Sequence, residues 1–303
     1  MIRKQVLVAL AANRTPGFHF PGHYLQLAWP RIGEDEIEEI LPDGPHCHNA
    51  DGSLSLVALG VLLDTALATA PRLKIERGAR QATVHLHAQF TGEPLRGPLQ
   101  AHARLDGFTS ASEVRQGLAS GAIYAGNGRP VCHASGAFVV LPSPQGVRLA
   151  PLPWQRASGE TASPLNQEEL GSDERTIMKA CESALKRADQ QHAFIEHFWG
   201  ALPSPTAFGA RCTVRIGPQH GNRVGHVQGG LMFGLATTAA RAAAPHHPQL
   251  CAISAWFISP GQGTALKITS RRFHEGRSFA AVRTEIRNAD GSRVLEAVSH
   301  HAA

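Results

Sequence analysis

The sequence predicts an α+β chain built from two tandem copies of one unit, each an antiparallel sheet folded around a central helix. Three observations predict it. An apolar helix preceded by an asparagine recurs in both halves, a strand run closed by a Gly/Pro break follows each helix, and a Pro-, Ser- and Gly-rich stretch separates the halves. At 303 residues, 43% hydrophobic and 17% charged, the chain has the length of about two domains and enough apolar side chains to give each a core.

The elements follow in order. Met1 to Ala12 places Arg3 and Lys4 before Val6 to Leu10, a faint echo of a signal peptide whose apolar run is at the short limit. The first copy spans 15–145. In it Asn49 precedes a helix from Ser53 to Ala70, stopped by Pro71, and a strand run from Ala82 to Phe90 leads into Thr91-Gly92-Glu93-Pro94. Residues 146–194 form a linker and a connecting helix. The Pro/Ser/Gly-rich stretch runs from Pro142 to Ser172, and a helical run to about Phe198 carries Ile177, Cys181, Ala184, Leu185 and Ala188 on one stripe, suited to packing on the outside. The second copy spans 195–303. Asn222 precedes a helix through Gly229-Gly230 to Ala244, followed by a strand from Cys251 to Phe257 and the break Ser259-Pro260-Gly261. The helices correspond at an offset of 173, the aromatic strand ends Phe90 and Phe257 at 167, and the hairpin signals Asn127-Gly128 and Asp290-Gly291 at 163. Shorter loops in the second copy account for the drift.

Composition removes several functions. The net charge of +5 comes from scattered basic residues without a Lys/Arg block, so nucleic acid is not expected as a partner. Five cysteines, an odd number without a CxxC pair, fit a reducing compartment, and a cytoplasmic location is expected. The apolar stretch from Leu54 to Ala70 carries Asp64 and is shorter than a membrane span needs. Of the seventeen histidines, His46 and His48 around Cys47 are the most compact group, but they lack zinc spacing; no metal is expected.

Asp64 is the anomaly. The helix around it is apolar on nearly every face and should be buried all round. An unpartnered carboxylate there costs several kcal/mol or takes up a proton. Gly60 and Ala68, one turn to either side, leave room beside it. Asp64 has no counterpart in the second copy, where Thr237 takes its place. The second copy has Gln228-Gly229-Gly230 where the first has Ser55-Leu56-Val57. Asp64 lies nine residues past Ser55, about two and a half turns, so one helix points these positions to opposite sides. A site using both must be built across two helices, with the copies packed face to face as a pseudo-dimer. The start of the Gly229-Gly230 helix offers free N–H groups and the positive end of the helix dipole to a polarised carbonyl oxygen.

These residues resemble the hotdog-fold acyl-CoA thioesterases, in the branch of the phenylacetate-pathway enzymes. The family pattern is an Asn, six residues on a His followed by Gly-Gly, and nine residues after that His an Asp within Leu-Ala-Asp-Thr-Ala. Here Asn222 and Gln228-Gly229-Gly230 supply one part, and Asn49, Ser55 and Leu62-Leu63-Asp64-Thr65-Ala66 the other. The His is replaced in both copies. The resemblance implies tandem hotdog domains, one complete site of Asp64 with Asn222, Gln228 and Gly229, and one lapsed site around Thr237 and Asn49. Thr83, seven residues before Phe90, matches a family strand position.

The resemblance further implies hydrolysis of an acyl thioester, with CoA only as part of the substrate and no separate cofactor. Gly229 N–H would polarise the carbonyl, Asp64 would act as general base or nucleophile, Asn222 and Gln228 would orient substrate or water, and Thr83 would hold water or carboxylate. Gly230 and the arginines Arg271, Arg272 and Arg277, near an expected hairpin at Phe273 to Gly276, are the candidates for substrate and phosphate contacts. Met232, Phe233, Trp256 and Phe257 could line an acyl pocket or belong to the core. Pseudo-dimers could associate further. The alternatives are a non-catalytic acyl-CoA-binding hotdog protein and a hotdog dehydratase or hydratase, the last weakened by the lack of a His at a motif position.

Overall fold

The computed structural model describes residues 1–76, 79–109, 115–142, 150–156 and 162–303. Before the first central helix come α1 (Ile2–Asn13), α2 (Phe20–Tyr24), β1 (Ala28–Ile32) and β2 (Glu36–Leu41). That helix is α3 (Leu56–Arg72), followed by β3 (Arg80–Phe90), β4 (Leu99–Phe108), β5 (Gln116–Tyr124) and β6 (Pro130–Leu141). The connection carries α4 (Ser172–Arg187) and α5 (Phe194–Trp199). The second half is β7 (Ser204–Thr206), β8 (Gly209–Arg215), α6 (Gly229–Ala243), β9 (Gln249–Phe257), β10 (Ala265–Glu275), β11 (Phe279–Asn288) and β12 (Arg293–Ala302). The expected boundary at 145/146 lies outside the described residues.

The strands form one twelve-stranded antiparallel sheet in the order β1-β2-β4-β5-β6-β3-β9-β12-β11-β10-β8-β7. The strand that follows each central helix joins the halves: β3 pairs with β9 from His85 opposite Trp256 to Gln89 opposite Ala252. One half of the sheet curls over α3 and the other over α6, and the two helices pack on each other. Asn127-Gly128 and Asp290-Gly291 turn the β5–β6 and β11–β12 hairpins, with Gly128 and Gly291 at φ 78 and 90. No helix among the described residues is long and apolar enough to cross a membrane.

Helix α3 is buried at every position except Ala68. Each fully buried Leu in it contributes roughly 1.5–3 kcal/mol, which outweighs the modest helix propensity of its Val and Thr residues. Ser55 caps it by accepting the N–H of Val57 at 3.2 Å. Two helix ends differ from expectation. Pro71 lies inside the last turn rather than beyond it, and α3 runs on to Arg72 instead of stopping at Ala70. The run from Ser172 to Phe198 is two helices, because the Asp189 carboxylate accepts the N–H groups of Gln191 and His192 at 2.8 Å each and closes a turn between them.

The contact between α3 and α6 is made by backbone. A Cβ on Gly60 would stand 2.4 Å from the Gly230 carbonyl oxygen, one on Gly230 would stand 2.2 Å from that of Gly60, and one on Gly234 would stand 2.4 Å from the Val57 Cα. Position 57 meets 234 and position 60 meets 230, so the helices run antiparallel. The room left beside Asp64 by Gly60 is filled by the other helix.

Gly60→Ala separates two effects. Helix propensity alone predicts a gain of about 1 kcal/mol, whereas backbone overlap predicts a loss on the order of 3 kcal/mol. A lowered urea midpoint is expected.

Candidate active site

Asp64 lies at the middle of the crossing, 5% exposed. Its Oδ1 accepts the Thr83 hydroxyl at 2.8 Å. Its Oδ2 accepts the Gln228 amide Nε2 at 2.7 Å and the Gly230 N–H at 2.9 Å. Thr83 reaches it from β3 of the same half, while Gln228 and Gly230 come from the N-terminus of α6. Gln228 is the N-cap of α6: its Oε1 accepts the Leu231 N–H at 2.6 Å while its amide nitrogen faces the acid. One side chain therefore caps the second-half helix and holds the first-half carboxylate.

Burial pushes the Asp64 carboxyl up to about 6, and the bonds from Thr83, Gly230 and Gln228 keep it from rising further. Gly229, the first residue of α6, is half-buried beside the carboxylate: a Cβ there would lie 3.0 Å from the Thr83 hydroxyl and 3.1 Å from Asp64 Oδ2. Its N–H has no acceptor in its own helix, as for any first helical residue. The site thus presents an acid of mid-range pKa beside a donor at the positive end of a helix.

A second carboxyl escaped sequence reading. Glu39 on β2 is fully buried, and its Oε1 lies 2.8 Å from the Thr65 hydroxyl. That hydroxyl also lies 2.7 Å from the Val61 carbonyl and has one proton to give. A protonated Glu39 satisfies both contacts, and burial together with the nearby Asp64 charge does hold its pKa well above the carboxylate range. The signal was the alternation Ile37, Glu39, Leu41, which puts this glutamate on the buried face of its strand.

Several expected residues take other roles. Asn222 shapes the loop before α6: its Oδ1 accepts the N–H groups of Val224 and His226 at 2.9 and 3.0 Å. Asn49 likewise spends its amide on Ser53 Oγ and the Leu54 carbonyl, so both repeat asparagines build a loop into a helix. Gly230 gives its N–H to Asp64 and its open face to Gly60, which makes it a holder of the acid rather than a substrate contact. Arg272 donates to the carbonyls of Ala243 and Ala207 and pairs with Glu275 at 2.9 Å. It therefore stands at the C-terminal end of α6, about 20 Å along the axis from Gly229. Arg271 is its neighbour on β10, and Arg277 lies in the β10–β11 turn, which falls at 276–278 rather than at Phe273. The structure does not bring these three arginines to the acid. Met232 and Phe233 are core, and Trp256 is exposed beside His85 at a ring distance of 5.3 Å.

The corresponding place in the other orientation differs. The Thr237 hydroxyl turns back to the Phe233 carbonyl at 2.7 Å. Asn49, Ser55, Thr238 and Arg241 instead border an open cleft of about 240 Å³. Asp43, Cys47 and His48 bring one ligand atom each within 4.8 Å of one another. His48 lies 2.6 Å from Asp43, and burial pushes the Cys47 thiol up to about 12, far from the thiolate a metal takes.

Residues 218–301 match the family model described as the acyl-CoA thioesterase N-terminal domain. Among solved structures, the chain resembles a protein named as an oleoyl thioesterase from Lactobacillus plantarum. They share 12% identity over 90% of this chain and 98% of the other, with a TM-score of 0.53. It also resembles a conserved protein of unknown function with a hot dog fold from Alicyclobacillus acidocaldarius, at 8% identity over 91% of this chain and 96% of that one, with a TM-score of 0.50. No curated protein matches in sequence. The fold is a tandem hotdog, and its second half carries the match to the thioesterase domain.

The raised Asp64 pKa carries a stability consequence. Between the unfolded value of about 3.9 and the folded value near 6, the native state holds a proton that the unfolded chain has released. This contribution is therefore fully present at low pH and is lost, by about 3 kcal/mol in total, as pH rises through 6. Urea unfolding at pH 4.5 and 7.5 should show a larger fall for the wild type than for Asp64→Asn; equal falls would contradict the burial of the charge.

Proposed function

We propose that the chain hydrolyses an acyl-CoA thioester at one composite site between its halves. The observation that carries this reading is the Asp64 carboxylate held by Thr83, Gln228 and Gly230, with Gly229 N–H alongside. The thioesterase-domain match over residues 218–301 supports the reaction class.

The asymmetry of the carboxylate favours a general base. Oδ2 takes two donors and Oδ1 takes one, so Oδ1 keeps a lone pair for a water that the Thr83 hydroxyl oxygen also borders. The water oxygen attacks the thioester carbon while its proton passes to Asp64 Oδ1. The carbonyl oxygen becomes an oxyanion, stabilised by Gly229 N–H and the α6 dipole. Collapse breaks the C–S bond, and the proton on Asp64 goes to the departing thiolate, leaving a carboxylic acid, free CoA and the regenerated base. A pKa near 6 leaves Asp64 mostly ionised at neutral pH, yet basic enough to accept a proton.

A second reading has one observation behind it. Three donors satisfy the carboxylate almost completely, as they would in a strut that only ties the halves together, which fits a non-catalytic acyl-CoA-binding protein.

Asp64→Asn separates the two. Turnover of an acyl-CoA panel, followed by thiol release, should fall about 10²–10⁴-fold with the Kd for the CoA ester little changed; full activity in the variant would remove Asp64 from the chemistry. The wild-type kcat/KM should rise about tenfold per pH unit below pH 6 and level off above it. Thr83→Val removes a bond that favours the ionised form, so the inflection should move to higher pH.

A further inference from the structure

We propose that Arg72 and Arg223 form a seat for an anionic oxygen group of the substrate, a carboxylate or a phosphate, set apart from the thioester on the α3 C-terminal side of Asp64. The proposal rests on the hydrolytic reading of the site and replaces Arg271, Arg272 and Arg277 as the anion contacts.

The antiparallel crossing fixes where the two arginines lie. Val57 meets Gly234 and Asp64 meets Gly230, so the chain that leads into α6 runs along the half of α3 beyond Asp64. Arg72 ends that half, eight residues past the acid and about 12 Å along the axis. Arg223 sits in the loop that Asn222 shapes, just before Gln228.

The state of these side chains is unusual. Arg72 is 7% exposed, yet among the described residues its guanidinium makes no hydrogen bond and no ion pair. The usual partners of an arginine in a last helical turn are the terminal carbonyls or an acid, and it takes neither. Burial and the charge of Arg223 push it down to about 10. Arg223, half-buried, donates once, to the Ala150 carbonyl at 2.9 Å, and is itself lowered by burial and by Arg156. Arg156 spends its guanidinium on the carbonyls of Pro151 and Pro16. Burial, with Arg223 and Arg156 nearby, pushes His19 and His23 down to about 3 and 4, so they stay neutral at physiological pH.

Three guanidiniums are therefore gathered at partly buried positions, with no acid among the described residues acting on Arg72 or Arg223. Gathering like charges away from water is costly unless a counter-charge joins them. Among the described residues nothing takes the five N–H donors of Arg72, which lie in the fork that binds a carboxylate or phosphate through two oxygens. The spacing from Asp64 requires several bonds between the thioester carbon and the anionic group.

Three thioesters distinguish the sources: hexanoyl-CoA, which carries phosphates; the adipoyl monothioester of N-acetylcysteamine, which carries only a terminal carboxylate; and hexanoyl-N-acetylcysteamine, which carries neither. Arg72→Met and Arg223→Met should raise KM tenfold or more for one charged substrate and leave the neutral one unchanged, with Arg72→Lys recovering part of the loss. Loss confined to hexanoyl-CoA identifies a phosphate, and loss confined to the adipoyl thioester identifies a carboxylate. No change with any substrate, or an equal loss with all three, overturns the seat and leaves the hydrolytic reading standing. If the wild type cleaves none of them, that reading fails, and calorimetric titration with CoA and with adipate judges the seat alone. Tenfold weaker binding of either by Arg72→Met supports it, and equal or absent binding overturns it.

Discussion

The backbone contact between α3 and α6 is the constraint on which the rest depends. Gly60, Gly230 and Gly234 let two helices approach until carbonyl oxygens lie where side chains would stand. Only at that separation can a short aspartate on one helix accept an N–H from the first turn of the other. A leucine or an alanine at any of the three positions would push the helices apart by more than a hydrogen bond tolerates, and Asp64 would lose its donors from α6 and keep only Thr83. Fold stability and site geometry are the same contact seen twice.

That contact also explains how a carboxylate survives in an apolar helix. Isolated in the core it would take up a proton and lose its use as a base. Three donors bring its pKa back only to about 6, since each offsets part of the desolvation. Glu39, a neighbour reached by the Thr65 hydroxyl, is held well above the carboxylate range by burial and the Asp64 charge. The two carboxyls differ in the number of donors around them, and that number decides which of them can act as a base near neutral pH.

The two copies differ around the helix crossing. In one orientation an acid meets a glycine-opened helix start. In the other, Ser55 caps its own helix and Thr237, at the position of Asp64, turns back onto its own backbone beside an open cleft. The sheet through β3 and β9 and the helix crossing hold the halves together independently of this asymmetry.

Much of this was legible in the residues. The recurring Asn, apolar helix and strand gave the repeat, and helix phase placed any site that uses both Asp64 and Gly229-Gly230 across two helices rather than on one. Local patterns also gave the hairpins at Asn127-Gly128 and Asp290-Gly291. Composition and spacing could not reveal which donors close on Asp64, that Asn222 builds a loop, that Glu39 is buried beside Thr65, or that Arg72 is buried without a hydrogen-bond partner among the described residues. The donors on Asp64 depend on which atoms of one half come within 3 Å of the other, a distance set by the glycine crossing and the β3–β9 register between residues more than 160 positions apart in the chain, whereas the Asn222 loop and the Glu39 contact depend on packing within one half.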